Sequence, residues 1–154
     1  MALIDLLTLP AVIPSLRAAS KKQALQELAS RAADLLRRDE REIFETLNQR
    51  ERLGSTGVGH GIAIPHGKMP KMERLFGMFA RLEKPIDFES LDGEPVDLVF
   101  LLLAPEAAGA DHLKALARVA RLLRDQETAG KIRATRDPQV MLGLLTGTAA
   151  SNAA

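Results

Sequence analysis

A chain of 154 residues, 46% hydrophobic and 27% charged, is long enough to bury a core and too apolar to be disordered. Its formal net charge of +1 supplies no general attraction to nucleic acid. The absence of cysteine removes disulfides, iron–sulfur clusters, thiolate zinc sites and cysteine nucleophiles from consideration.

The amino terminus, "MALIDLLTLPAVIPSL", carries an early Asp5, no basic stretch ahead of its apolar residues, and Pro10 and Pro14. It reads as neither a signal peptide nor a spanning helix. The longest apolar run, 98–105, is too short to cross a bilayer as a helix, so we expect a cytoplasmic protein without its own membrane anchor. Ser20-Lys-Lys-Gln23 has the form of a capping box, in which the serine oxygen and the glutamine side chain satisfy free backbone amides. Behind it Leu25, Leu28, Ala29, Ala32, Leu35 and Leu36 share one helical face. Asp39 and Glu42 repeat the capping signature, and Ile43, Phe44 and Leu47 extend a second helix toward Arg50.

Three strands are expected next. Residues 61–65 form a short one ending at Pro65; residues 76–82 alternate; and "DLVFLLLAP" from Asp97 is nearly continuous apolar, as in a strand covered on both faces. Pro85, Asp92-Gly93 and Pro95 mark a loop or hairpin between the last two. From Asp111 the period returns to 3.6, with His112, Leu116, Val119, Ala120 and Leu123 on one stripe. Two short helices are expected around 126–133 and 137–145, and a frayed tail over 148–154. Helices, strands and helices again, with no linker to split them, describe one layered α/β sandwich over residues 1–147.

The stretch 54–68, "GSTGVGHGIAIPHGK", holds five glycines and two of the three histidines. A dinucleotide fingerprint fails because Ile62 stands where its third glycine belongs. A phosphate-binding Walker loop fails on spacing, and Met69 offers no oxygen to magnesium. His60 and His66 match no common zinc spacing, although these two and His112 can still converge on a metal in space. Ser55 and Thr56 lie outside any nucleophile elbow.

Phosphoryl acceptance by histidine needs only an exposed neutral imidazole and donors for three oxygens. Pro65 ends a strand and aims His66, while Gly67 lets a partner and its phosphate approach the backbone. A histidine in a glycine-rich turn is more often inert. On these residues alone, a metal site, an inert turn and a phosphohistidine stay open together.

The same stretch, with "NQRER" before it and "DHLKALARVARLL" after it, resembles the enzyme IIA domain of the bacterial phosphotransferase system. The likeness is to the mannitol/fructose superfamily and, within it, to the nitrogen-regulatory branch. It spans about Ser20 to Leu145. Around Val12–Leu16, Pro14 interrupts an expected strand. The resemblance implies a mixed sheet of about five strands with helices on both faces.

It further implies that His66 accepts a phosphoryl group on Nε2 from a small histidine phosphocarrier protein, with Nδ1 held by a backbone hydrogen bond. Arg50, rather than Arg52, falls in the family register to stabilise phosphoryl charge, and His112 becomes the second histidine of the site. Ser55 and Thr56 shape the pocket or donate to oxygens, and His60 is a loop residue. Neither metal nor cofactor is required. A mildly apolar ring for partners is expected around His66, with candidates among Met69, Met72, Leu75 and Met78, each of which reads more readily as core. The implied role is a phosphocarrier whose phosphorylation state controls partner binding. The alternatives are a sugar-transport IIA that hands its phosphoryl group to a IIB domain, and a non-catalytic binding module.

Overall fold

The computed structural model describes residues 3–147, so the frayed tail expected over 148–154 lies outside the described residues. The elements follow as β1 (Val12–Leu16), α1 (Lys21–Leu36), α2 (Glu40–Arg52), β2 (Gly57–Gly59), β3 (Ile62–Ala63), β4 (His66–Met69), β5 (Phe76–Ile86), β6 (Val96–Pro105), α3 (Ala110–Arg124), α4 (Gln126–Arg133) and α5 (Pro138–Thr146). The sheet is mixed and six-stranded, in the order β1-β5-β6-β3-β2, with β4 also on β6. The resemblance implied about five strands; beyond the runs read from the residues, β2 and the segment β4 that follows Pro65 are present.

β6 is the centre of the fold. Residues 98–104 are all 0% exposed, and since alternate residues of a strand face opposite sides, both faces of the sheet are covered. β5 pairs with it antiparallel, while β3 and β4 run parallel along its other edge. The offset is constant there: Ile62 faces Leu98 and His66 faces Leu102. β3 and β4 are therefore one strand line interrupted at Ile64-Pro65. His66 opens the second segment instead of following the end of the first, because Pro65 lacks a donor for the ladder yet its carbonyl still accepts from the Leu102 amide at 2.9 Å.

Both prolines that suggested breaks are accommodated within strands. Pro14 sits in β1, an outermost strand of the sheet, with a register irregularity between Ile13 and Leu16. Pro85 lies inside β5, where the pairing with β6 is irregular between Arg81 and Ile86. The capping signals also resolve differently from the simplest pattern. Ser20 accepts from the Gln23 amide at 3.1 Å, but the Gln23 side chain reaches the Ala19 amide at 2.6 Å instead of that of Ser20. Asp39 accepts from the Arg41 amide at 3.2 Å, whereas Glu42 pairs with Arg38 at 2.7 Å.

α1 and α2 pack as a hairpin, and α2 lies against β4. Among the described residues, no helix is long and apolar enough to cross a membrane.

Candidate phosphoryl-transfer site

Three elements bring the site together. The last turn of α2 contributes Arg50, the start of β4 contributes His66, and the first turn of α3 contributes His112. His66 is half-buried. Its Nδ1 lies 2.8 Å from the Ile64 carbonyl, and Arg50 Nε donates to its Nε2 at 3.2 Å. A carbonyl can only accept and a guanidinium can only donate. The imidazole is thereby held as the Nδ1–H tautomer, with the Nε2 lone pair toward Arg50. Arg50 is itself anchored by Nη1, which donates to the Gly54 carbonyl at 2.8 Å.

The His112 ring meets that of His66 edge-on, with centroids 5.5 Å apart. His112 is 6% exposed, and its Nε2 is buried without a hydrogen-bond partner among the described residues. Burial without a partner carries a cost, so this nitrogen is a ready donor or acceptor for a group placed between the rings.

Both histidines are pushed toward the neutral form. For His66, burial lowers the pKa most; the Ile64 carbonyl opposes this, Arg50 adds to it, and Glu51 opposes it. For His112, burial acts first, followed by the positive charge on His66 and Lys68. Both sit below the ordinary value of 6.5, which keeps a lone pair on the imidazole at neutral pH. Because the unfolded chain binds protons first, this contribution to stability is intact above pH 6.5 and is lost as pH falls from there through the lowered folded values. Melting temperature is expected to drop across that window in the parent, and the drop is expected to shrink when both histidines are replaced by glutamine. An unchanged slope would show that other groups carry it.

The remaining expected residues stand close by in different roles. Ser55 donates to the Phe88 carbonyl at 2.7 Å and accepts from the Gly57 amide at 3.0 Å. The Thr56 hydroxyl is bound to the buried carboxylate of Glu51. Both hydroxyls are thus committed to protein acceptors, Ser55 to Phe88 and Thr56 to Glu51. The space over Gly67 is not left for a partner: a Cβ there would stand 2.5 Å from Thr46 Cγ2, so Gly67 lets α2 pack against β4.

His60 lies apart from the pair. It holds a left-handed backbone (φ 58°), with its amide on Asp92 and its carbonyl on Arg133. Among the described residues, no group of three or more His, Cys, Asp or Glu side chains is placed to hold a metal. The expected apolar ring is displaced as well. Met69 and Met78 are fully buried core, Leu75 is buried, and only Met72 is half-exposed. The exposed large apolar residues among those described include Leu53, which follows the last turn of α2, and Leu113, next to His112, along with Leu91 in the β5–β6 connection. Sequence reasoning missed them, because single apolar residues at helix ends and in connections carry no periodic signal.

A family model described as "Phosphoenolpyruvate-dependent sugar phosphotransferase system, EIIA 2" matches residues 5–147. The nitrogen regulatory protein of Bradyrhizobium diazoefficiens is 65% identical over 145 residues, covering 94% of this chain and 95% of that one. The solved nitrogen regulatory protein IIA-Ntr of Neisseria meningitidis superposes with a TM-score of 0.89 at 32% identity, over 94% of this chain and all of that one. The mannitol IIA of Escherichia coli shares the fold, with a TM-score of 0.76 at 19% identity over 90% of this chain and 98% of that one. A match across nearly the whole chain, together with relatives of that similarity, leaves one conclusion: the chain belongs to the EIIA type 2 family of the phosphoenolpyruvate-dependent phosphotransferase system, alongside proteins named nitrogen regulatory protein.

Proposed function

We propose that this protein is a cytoplasmic phosphocarrier and regulator. In this reading Nε2 of His66 accepts a phosphoryl group from a histidine phosphocarrier protein, and the phosphorylation state sets which partners it binds. The observation that carries the reading is the clamped tautomer: Nδ1–H on the Ile64 carbonyl, with the Nε2 lone pair facing the site.

In the transfer, the Nε2 lone pair attacks phosphorus in line. The P–N bond to the donor imidazole breaks, and its electron pair returns to the donor nitrogen. The His66 ring gains positive character as the new bond forms, and the Ile64 carbonyl accepting from Nδ1–H stabilises it. Arg50 Nε must leave Nε2 as phosphorus arrives, and its fork then serves the equatorial oxygens, where transition-state charge collects. His112 packs edge-on against the His66 ring, and its Nε2 has no partner among the described residues. No metal or cofactor enters this scheme.

The test is incubation with a phosphoenolpyruvate-driven donor chain, followed by mapping of acid-labile phosphate. Label on His66 is the expected result, and label elsewhere sinks the assignment. Rapid onward transfer to a sugar-specific IIB domain would replace the regulatory reading with a transport one. Arg50→Ala is expected to slow phosphorylation by about a hundredfold, the scale of losing one preorganised donor, with little change in melting temperature. Arg50→Lys is expected to recover only part of the rate, since a single ammonium cannot hold Gly54 and a phosphoryl oxygen together. A collapse of stability in Arg50→Ala would show that the residue is structural.

A further inference from the structure

We propose that Glu51 and Thr56 are positioning residues that set the tautomer and aim of the His66 imidazole, through two hydrogen-bonded arms ending at its two ring nitrogens. The inference rests on reading His66 as the phosphoryl acceptor, and it assigns work to a buried charge which that reading leaves unused.

Glu51 follows Arg50 on α2 but turns inward, and is 8% exposed. Taking a carboxylate out of water is costly unless donors reach both oxygens. Here the Thr56 amide donates to Oε1 at 3.0 Å, the Thr56 hydroxyl donates to Oε2, and Lys21 Nζ lies 2.9 Å from Oε1. Lys21 is held in turn over the Phe88 ring, 5.0 Å from its centroid. Glu51 has no direct contact with the imidazole. What it secures is Thr56.

The first arm runs through the Thr56 main chain. Its carbonyl accepts from the Ile64 amide at 3.0 Å, and the Ile64 carbonyl is the acceptor for His66 Nδ1–H at 2.8 Å. Ile64 lies in the gap between β3 and β4, so no β6 partner orients that peptide. Thr56 fixes the preceding peptide from the side, through the Ile64 amide. The second arm runs through Gly54. Its amide donates to the Glu51 carbonyl at 3.1 Å, and its own carbonyl holds Arg50 Nη1 at 2.8 Å. Arg50 Nε then reaches Nε2.

One turn of chain, 54–56, therefore governs both ring nitrogens, and Glu51 holds it at each end, by its main-chain carbonyl at Gly54 and by its carboxylate at Thr56. The charged and titratable groups bearing on the ring are Arg50, Glu51 and His112, with Lys68 near His112. The negative charge of Glu51 offsets part of the pKa lowering caused by Arg50 and burial.

The experiment reads the ring nitrogens directly. In the full chain, nitrogen–proton correlation spectra of His66 are compared among the parent, Glu51→Gln, Thr56→Val and Thr56→Ser. Thr56→Val keeps the shape and removes the hydroxyl; Thr56→Ser restores it. The parent is expected to show the Nδ1–H tautomer alone. Glu51→Gln and Thr56→Val are expected to populate the Nε2–H form and to slow phosphoryl uptake by about tenfold or more, the scale of sub-ångström misplacement, with the Michaelis constant for donor unchanged. Thr56→Ser is expected to regain the parent spectrum.

Folded Thr56→Val with parental nitrogen shifts overturns the proposal, and that arm decides the matter should Glu51→Gln fail to fold. A tautomer change in a protein whose parent takes no phosphoryl group would uphold the positioning and overturn the acceptor reading instead.

Discussion

His66→Ala is expected to take up no acid-labile phosphate, with the rate falling on the order of 10³-fold or more, because the substitution removes the attacking atom itself. No neighbour can replace it. Arg50 is permanently protonated and has no lone pair to offer. His112 is 6% exposed and its Nε2 is buried, so a donor protein cannot present phosphorus in line with that nitrogen. His60 is exposed, but its backbone is tied to Asp92 and Arg133, away from the pocket.

The fold is expected to survive the change. His66 is half-buried, and its loss frees the Ile64 carbonyl and the Arg50 guanidinium where water can reach them, a cost of about 1 kcal/mol. Circular dichroism and melting identify the folded variant, and phosphate counting gives the result. Labelling equal to the parent would end the phosphohistidine assignment.

Phe100→Ala has the largest expected effect on stability. Phe100 is 0% exposed in the middle of β6, opposite Phe79 in register and 6.5 Å from it between ring centroids. The Gly77 backbone packs so closely that a Cβ there would stand 3.1 Å from the Phe100 ring. Close packing on all sides leaves the neighbours little freedom to collapse into the vacated volume. The cost is therefore expected to be about 3–5 kcal/mol, with a fall in melting temperature on the order of 10 °C for a chain of this length.

The consequence reaches the site, because β6 is the template on which β4 is aligned: His66 pairs with Leu102, two residues beyond Phe100. Below its lowered transition the variant is expected to be phosphorylated at nearly the parental rate, since none of the hydrogen bonds around His66 involves Phe100. Chemical denaturation measures the first quantity and labelling at low temperature the second. A loss under about 1 kcal/mol would show that the sheet can repack.

Much of the fold was legible because its signals are local. The serine and aspartate caps, the apolar stripes of α1 and α3 and the unbroken apolar run of β6 each declare themselves within a few residues. Proline misled at Pro14 and Pro85, since its tolerance depends on whether a strand lies at an edge or carries irregular pairing, and pairing is not a local property. The same holds at the site. The I-P-H-G motif marked His66, but the motif does not reveal that the ladder lapses at Ile64 and resumes in the same register, the Pro65 carbonyl still bonded to Leu102.

By itself, the sequence determined the α/β class, the principal helices and the central strand, and the histidine on which the chemistry is proposed to turn, because periodicity, capping and motif spacing are written along the chain. The tertiary structure decided which groups surround that histidine. The tautomer needs Arg50 as well as Ile64, the Ser55 hydroxyl is spent on Phe88, Glu51 is buried against Lys21 as well as Thr56, and the unpartnered Nε2 of His112 lies on a separate helix. Hydrogen bonds and desolvation act through space, so the chain had to fold before those roles existed.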